Sequence, residues 1–276
     1  MQDALLQRIV PVLAKVPGVA AIVLGGSRAR GTATENSDYD LGLYYSTAVP
    51  LDTGRLLEAV RRFVDDPNAA EVTDVGEWGP RIVGGGWLSV GGQKVDLLYR
   101  NVEAVAEGIE ACGAGRITMD YQPGHPHGFC SAIWMGEVAL CDPLHDPSRT
   151  IAGLKAKTSP YPEPLREALL KRFQWDVEFS IEIAELAASR NEQTYIAGCA
   201  FRALACIGQI LFAINRRYLI NEKAALAEAA RFPLTIPGLM GLVAEIWRHI
   251  GQSEFDEAFV ILRTLEQSLA ALTRGG

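Results

Sequence analysis

The stretch from Leu24 to Tyr45, LGGSRARGTATENSDYDLGLYY, constrains the fold of this chain more than any other segment. It has the pattern of an apolar strand end, a Gly-Gly-Ser turn, a basic turn and a second strand with two aspartates. Because side chains alternate between the faces of a strand, Asp38 and Asp40 are predicted to project from the same face. Two adjacent carboxylates repel each other unless a cation lies between them, and hard oxygen ligands suit Mg²⁺. The pattern therefore predicts a metal-nucleotide site.

The Gly-Gly-Ser turn has the residues that a phosphate site needs. Gly25 and Gly26 follow a buried apolar strand and allow the backbone to turn sharply and to approach a ligand closely. Ser27 is predicted to begin a short helix, whose N–H groups and hydroxyl can bind phosphate, while Arg28 and Arg30 add positive charge. Each feature alone is common in ordinary turns, but their order along the chain is much rarer than the parts.

These residues resemble a known family. Gly26-Ser27, followed eleven residues after the serine by Asp38-x-Asp40, resembles the signature of the nucleotidyltransferases of the DNA polymerase β superfamily. Within it, the chain is most similar to the small bacterial enzymes of the aminoglycoside and lincosamide nucleotidyltransferase type. The third carboxylate of this family lies on a later strand, and the matching residue here is Asp96, in the alternating segment QKVDLLYR.

The resemblance implies a two-metal site and a nucleotide co-substrate. Asp38 and Asp40 would hold two Mg²⁺ ions, and Asp96 would hold the ion nearer the acceptor. ATP or another nucleoside triphosphate would be the co-substrate. The implied reaction is attack of an acceptor hydroxyl on the α-phosphate, with release of pyrophosphate.

The resemblance also implies the phosphate contacts and the general base. Ser27 and the Gly26 backbone would bind the β- and γ-phosphates, with Arg30 as the basic residue that matches the family. A carboxylate is expected to take the acceptor proton. Two candidates remain for that role, Asp96 and Glu137, and Glu137 is equally consistent with a solvated helix end.

Apolar periodicity predicts an α+β fold. Residues 1–120 are expected to form a catalytic domain with a mixed β-sheet flanked by helices, 121–150 a linker, and 151–276 an up-and-down helical bundle that binds the acceptor. Short strands are predicted around 71–75 and 82–90, and Gly91-Gly92 is predicted to turn into the Asp96 strand. Antiparallel pairing of that strand would bring Asp96 to the other carboxylates. The predicted helices cover residues 3–15, 56–64, 101–112, 164–189, 201–218, 221–230, 239–250 and 255–272.

Two further groups of residues allow either a functional or an ordinary interpretation. The run Gly84-Gly85-Gly86-Trp87 is typical of a bulged or flexible strand, but the glycines could also admit a nucleotide and Trp87 could stack on it. One face of the first long bundle helix could form an anionic wall for an aminosugar, or it could be an ordinary solvated surface. Its residues are Trp175, Asp176, Glu178, Phe179 and Glu182.

Composition and charge limit the classes of molecule that this protein is expected to bind. The net charge of −7 and the pI near 5.2 argue against binding of long nucleic acid and favour a small substrate, including a cationic one. The five cysteines contain no C-x-x-C pair, which indicates reduced thiols. The N-terminal sequence lacks the pattern of a signal peptide, and the apolar segment Ala203–Ile214 is predicted to be too short to span a bilayer. We expect a cytoplasmic monomer or homodimer without membrane contact.

The favoured function is transfer of AMP from ATP to a hydroxyl of a small molecule such as an aminoglycoside or lincosamide antibiotic. One alternative keeps the chemistry but has a protein as the acceptor, as in the minimal nucleotidyltransferases that are paired with helical HEPN partners. Another is a regulator that binds nucleotide without catalysis. Relatives of that kind typically lack a metal carboxylate, whereas all three candidates are present here.

Overall fold

The computed structural model describes residues 3–275 and divides them into two compact units. The sheet unit comprises the residues up to 113, 118–124 and 128–160; the helical unit comprises 114–117, 125–127 and the residues from 161 onwards. The predicted α+β fold is confirmed. Up to residue 160, the elements are α1 (Ala4–Leu13), β1 (Ala21–Leu24), α2 (Gly26–Ala29), β2 (Tyr39–Tyr45), α3 (Thr53–Val60), β3 (Gly85–Val90), β4 (Gln93–Asn101), α4 (Val102–Gly113), β5 (Met119–Gln122), β6 (His125–Cys130), α5 (Ala132–Leu140), β7 (Asp142–His145) and α6 (Thr150–Ala156).

The main sheet has five strands in the order β3-β4-β2-β1-β7. The central strands β2 and β4 run parallel, and every other neighbouring pair is antiparallel. The predicted hairpin at Gly91-Gly92 is confirmed, because Val90 pairs with Gln93 across that turn. The predicted antiparallel pairing of the Asp96 strand holds only on its β3 side. On the side of the other carboxylates that prediction is wrong, because β4 pairs there with β2 in parallel.

Side-chain alternation separates the two faces of this sheet. Leu41, Leu43, Val95 and Leu97 lie in a buried apolar core together with side chains of α1 and α3. Residues at the intervening positions of β2 and β4 therefore face the other way. Asp40 and Asp96 are at these intervening positions. The same alternation that buries the apolar residues therefore places both aspartates on the face of the sheet opposite the core.

The strand predicted around residues 71–75 is wrong. Thr73 donates its backbone N–H to the carbonyl of Gly85 at 2.9 Å, but the returning bond from the Gly85 N–H goes to the Thr73 side-chain hydroxyl. Because a side chain takes the place of a backbone acceptor, no regular ladder continues from this point. The segment follows the edge of β3 without becoming a strand.

Residues 121–150 contain regular structure that the sequence did not predict. Helix α5 is apolar on nearly every side, and most of its side chains are buried. Strand β7 pairs with β1 at the edge of the main sheet. The predicted domain limits themselves stay a prediction.

The helical unit contains five helices among the described residues: α7 (Glu163–Ala188), α8 (Gln193–Ile214), α9 (Ala225–Ala229), α10 (Leu239–Gly251) and α11 (Phe255–Gly275). Helix α7 packs against α8 and α11, and α10 packs against α11. The helix predicted at 164–189 is confirmed as α7, and its residues Leu169, Phe173, Val177 and Ile181 are all buried. Helical periodicity was sufficient to locate these elements.

Helix α8 is longer than its apolar stripe indicates. It has 22 residues and, within residues 3–275, it is the one helix long and apolar enough to cross a membrane by composition. The helix is longer than the apolar segment Ala203–Ile214 that the sequence indicated, because it already begins at Gln193. However, 72% of its most apolar window is buried inside the protein, as in the core helix of a soluble protein.

A buried polar cluster lies within the helical unit. The carboxylate of Glu222 contacts His125 Nδ1 at 3.1 Å and accepts the backbone N–H of His127 at 3.1 Å. His127 Nε2 lies 3.3 Å from the Cys206 sulfur, while its Nδ1 is buried without a hydrogen-bond partner. Burial lowers the pKa of His127, although Glu222 acts in the opposite direction. The neutral imidazole is therefore the form that this site favours.

Because desolvation lowers the pKa of His127, we expect the stability of the protein to fall as the pH is lowered through about 6.5. Below the unfolded pKa, near 6.5, the unfolded chain binds a proton that the folded chain binds only at lower pH. The free energy of unfolding should therefore decrease by up to about 1.4 kcal/mol per pH unit until the folded pKa is passed. Urea denaturation between pH 7.5 and 5 measures the slope. His127→Gln should flatten it while His145→Gln leaves it in place; an unchanged slope in His127→Gln contradicts the assignment.

Candidate active site

The central strand pair brings two of the predicted carboxylates together. Asp40 on β2 and Asp96 on β4 are directly paired residues of parallel strands, and both are half-buried. Neighbouring strands lie about 4.8 Å apart, so paired side chains on one face are adjacent. Asp38 directly precedes Tyr39, the first residue of β2. The parallel register therefore produces the adjacency that the sequence analysis expected from an antiparallel one.

The Gly-Gly-Ser turn is assembled directly on Asp40. The Gly25 N–H donates to the backbone carbonyl of Asp40 at 2.8 Å. Gly26 has φ +61°, and a Cβ at this position would overlap the Asp40 carboxylate. Only glycine accommodates both the backbone conformation and the close approach. The turn at residues 25–27 and the first carboxylate of β2 therefore form one local structure.

The two arginines after Ser27 have different contacts. Arg28 donates to the carbonyls of Ser37 and Asp38, and its guanidinium lies 3.6 Å from the centre of the Tyr39 ring. It therefore fastens the loop before β2 onto the turn. Arg30 is exposed and donates from Nε to the Gly26 carbonyl at 3.3 Å. Of the two, Arg30 has the more exposed guanidinium at the predicted phosphate-binding turn.

Glu137 has a structural partner that the sequence analysis missed. Both of its carboxylate oxygens accept from Arg100, at 2.8 and 2.7 Å. The Arg100 side chain is only 3% exposed, whereas that of Glu137 is 25% exposed. Burial alone would lower the pKa of Arg100, but the attraction and hydrogen bonds of Glu137 raise it above its ordinary value. The pair attaches α5 to β4, the strand that carries Asp96. The only signal for this pair in the sequence was the charged residue Arg100 within the predicted strand QKVDLLYR.

Trp87 lies on the other side of Asp96. The two residues are directly paired across the antiparallel strands β3 and β4, so their side chains share one face of the sheet. The carboxylate face thus continues onto an edge strand with a large aromatic ring. The sequence left two interpretations of Trp87 open, a residue of a bulged strand or a ring that stacks on the nucleotide, and neither of them predicted its pairing with Asp96.

The donor set fits Mg²⁺ in chemistry, but the described residues do not contain a closed metal cage. Asp40 and Asp96 supply hard carboxylate oxygens on paired positions, which is the ligand type that Mg²⁺ prefers. Within residues 3–275, no three His, Cys, Asp or Glu side chains lie close enough together to form a metal-binding group. The joint ligation by Asp38, Asp40 and Asp96 therefore stays a prediction.

One part of the proposed acceptor wall is wrong. Asp176 is only 1% exposed and pairs with Arg202 at 2.7 Å and Arg172 at 2.9 Å. A carboxylate buried between two guanidinium groups is part of the internal packing of the helical unit and presents no negative charge to a ligand. Trp175 and Phe179 are exposed and stack with ring centres 4.8 Å apart.

The comparisons with known proteins address the first part of this site. Residues 6–77 match the family model of the nucleotidyltransferase domain, which supports the nucleotidyltransferase superfamily without distinguishing a type within it. No curated protein matches the chain. Among solved structures, the chain is similar to a nucleotidyltransferase-like protein from Exiguobacterium sibiricum 255-15, with 13% identity and a TM-score of 0.44, over 94% of this chain and 71% of that chain. The matched segment includes Asp38 and Asp40 and ends before Asp96.

We expect Gly26→Ala to destabilise the protein more than Gly31→Ala. Both glycines have positive φ, +61° and +68°, but a Cβ at Gly31 meets open space, whereas at Gly26 it meets Asp40. The shared backbone cost of about 1–2 kcal/mol cancels in the comparison. The excess measured by urea denaturation should shrink when Asp40→Ala is added to Gly26→Ala. Equal destabilisation by the two single substitutions contradicts the contact.

Glu137→Gln should lower the free energy of unfolding by about 1–3 kcal/mol, because it leaves the buried Arg100 without a negative partner and Glu137 itself is partly solvated. Chemical denaturation measures this loss. Glu110→Gln, which breaks the exposed pair with Lys157, is the matched control and should match wild type within error. Wild-type stability in Glu137→Gln would exclude the structural role of the pair.

Proposed function

We propose that this protein transfers a nucleoside monophosphate from a nucleoside triphosphate to a hydroxyl of a small molecule, releasing pyrophosphate. The observation that carries this proposal is the joint placement of the Gly26 turn, Asp40 and Asp96. The turn contacts Asp40, and Asp40 is paired with Asp96 on the next strand. The match of residues 6–77 to the nucleotidyltransferase domain supports the same chemistry.

The turn would bind the triphosphate. The Gly26 backbone approaches the Asp40 carboxylate without a side chain in between, so the backbone of the turn lies at the carboxylate face. Ser27 would add a hydroxyl donor, and Arg30 would add positive charge to the β- and γ-phosphates. Arg28 would keep the turn and the strand that carries the aspartates in register.

Asp38, Asp40 and Asp96 would hold Mg²⁺. When bound, the metal ions would neutralise phosphate charge and orient the reacting oxygens. The oxygen donors of these three residues suit this cation, and Asp40 and Asp96 are directly paired. The protein would contribute mainly position and charge, which is what phosphoryl-type transfer requires.

The reaction forms one bond and breaks one. The acceptor oxygen bonds to the α-phosphorus, the bond from that phosphorus to the bridging oxygen of the β-phosphate breaks, and pyrophosphate leaves with the electron pair. We assign the acceptor proton to Asp96 and not to Glu137. Both oxygens of Glu137 are engaged by Arg100, which supports a structural role for that carboxylate.

The donor and the acceptor are finer parts of the proposal. ATP as the donor rests on the resemblance to the aminoglycoside and lincosamide type, as does an antibiotic-like hydroxyl acceptor. The net charge of −7 supports a small and cationic acceptor over a polynucleotide. Adenylyl transfer to such a molecule is therefore the reaction to test first.

The test is pyrophosphate release by the full chain with Mg²⁺ and each nucleoside triphosphate, against a panel of aminoglycosides and lincosamides. We expect release that depends on both Mg²⁺ and the acceptor, with a product mass increased by one nucleoside monophosphate. Asp40→Asn and Asp96→Asn should each lower kcat at least about a hundredfold, because each removes a carboxylate ligand of the metal ions that would neutralise the charge of the reacting phosphate.

Glu107→Gln is the matched control for this test, since it removes one negative charge from an exposed position on α4. It should retain wild-type turnover. Labelling of a cellular protein without transfer to any small acceptor would favour the protein-modifying alternative. Nucleotide binding without pyrophosphate release under any condition would contradict the enzymatic function.

A further inference from the structure

An exposed aromatic ring lies directly beside the carboxylate strands. Trp87 on the edge strand β3 is 72% exposed and is paired with Asp96. Complete burial of a side chain of this size would be favourable by several kcal/mol on transfer from water, so its exposure beside a reactive carboxylate calls for an explanation. Ring contacts within the chain cover only part of its surface.

Trp78 provides a second ring against Trp87. The two indoles stack with centres 4.5 Å apart and planes inclined by 21°. Gly85 makes this possible, since a Cβ there would meet the Trp78 ring. Gly85 and Trp87 are two residues apart on one strand and share a face. We call this pair the tryptophan platform.

Gln122 fixes the segment that carries Trp78. Its side-chain nitrogen donates to the Trp78 carbonyl at 2.9 Å, and its oxygen accepts the backbone N–H groups of Arg81 and Ile82, both at 3.0 Å. Gln122 is 1% exposed, so these bonds are shielded from water. The platform is therefore held in place before any ligand arrives.

Strand order determines which substrate the platform faces. The Gly26 turn follows β1, Asp40 is on β2, Asp96 is on β4 and Trp87 is on β3, and these strands are consecutive neighbours in the sheet. In-line displacement requires the attacking oxygen to approach the phosphorus from the side opposite to the leaving group. If the pyrophosphate lies at the Gly26 turn, the acceptor approaches from the β3 side.

We propose that the tryptophan platform binds the apolar face of a six-membered ring, such as a sugar ring, that bears the acceptor hydroxyl. This inference rests on the proposed function and replaces the alternative in which Trp87 stacks on the nucleotide. The indole face offers apolar area and a negative quadrupole, which suits C–H groups and nearby ammonium groups. The acceptor site then lies on the sheet unit, two strands away from Asp40.

Glu77 strengthens the preference for a cationic ring. It is exposed and directly precedes Trp78 in the chain, which adds a negative charge to the segment that carries the platform. A ring that carries ammonium groups gains from both the carboxylate and the indole face. An acyclic polyol has hydroxyls but no flat face, and it should bind this surface poorly.

The experiment measures binding and transfer separately on the full chain. Calorimetric titration uses kanamycin and lincomycin as ring probes and sorbitol as the acyclic comparator. Steady-state kinetics measures the KM values for the acceptor and for ATP. Trp87→Ala should weaken ring binding and raise the acceptor KM about tenfold, with the KM for ATP within twofold of wild type.

Three further variants control this test. Trp87→Phe keeps an aromatic face and should restore most of the affinity. Trp247→Ala removes an exposed tryptophan of α10 and should change nothing. Trp175→Ala tests the alternative acceptor surface on α7, which was expected from the sequence.

The outcomes separate the platform from the proposed function. Three results would each overturn the platform without contradicting the transfer reaction. The first is unchanged ring binding and acceptor KM in Trp87→Ala, and the second is that neither ring probe binds. The third is a loss of ring binding in Trp175→Ala but not in Trp87→Ala. A raised KM for ATP with an unchanged acceptor KM in Trp87→Ala would indicate that Trp87 binds the nucleotide and not the acceptor. Trp87-dependent ring binding without any pyrophosphate release would support the platform and contradict the proposed function.

Discussion

The contact between the Asp40 carboxylate and the Gly26 backbone is the constraint on which the candidate site depends. One residue links three parts of the structure: its carbonyl accepts the Gly25 N–H, its carboxylate occupies the space beside Gly26, and its backbone pairs with Asp96. Any side chain at position 26 would separate these parts. Because the contact joins the turn after β1 to β2, it also fixes where the Gly-Gly-Ser turn lies relative to the paired strands β2 and β4.

The rest of the sheet unit supports the carboxylate face from several sides. The buried Arg100 on β4 is paired with Glu137, so α5 is attached to the strand that carries Asp96. Gln122 holds the segment that carries Trp78 against β3. The buried polar groups in these contacts are bonded, which gives the surface a single arrangement in place of several. A preformed arrangement of this kind lowers the entropy that substrate binding must overcome.

Prediction succeeded where the signal was local and periodic. The helices predicted at 164–189 and 255–272 and the Gly91-Gly92 hairpin follow from side-chain spacing or turn chemistry. Prediction failed where a segment has no apolar period, or where a side chain takes the place of a backbone partner. Helix α5 is apolar on nearly all sides and shows no period, and the segment around Thr73 uses a side chain in place of a strand partner.

The sequence by itself determined the candidate residues and the face on which they lie. The alternation in YDLGLYY and QKVDLLYR places apolar side chains in the core and Asp40 and Asp96 opposite them, whatever the partner strand. Only the tertiary structure decided that the two strands run parallel, that Glu137 neutralises Arg100, and that Trp78 stacks on Trp87. The alternation of side chains is a property of a single strand and can be read from the residues of that strand alone. Strand direction, ion pairing and ring stacking depend on which distant segments meet, and that is settled by the packing of the whole chain.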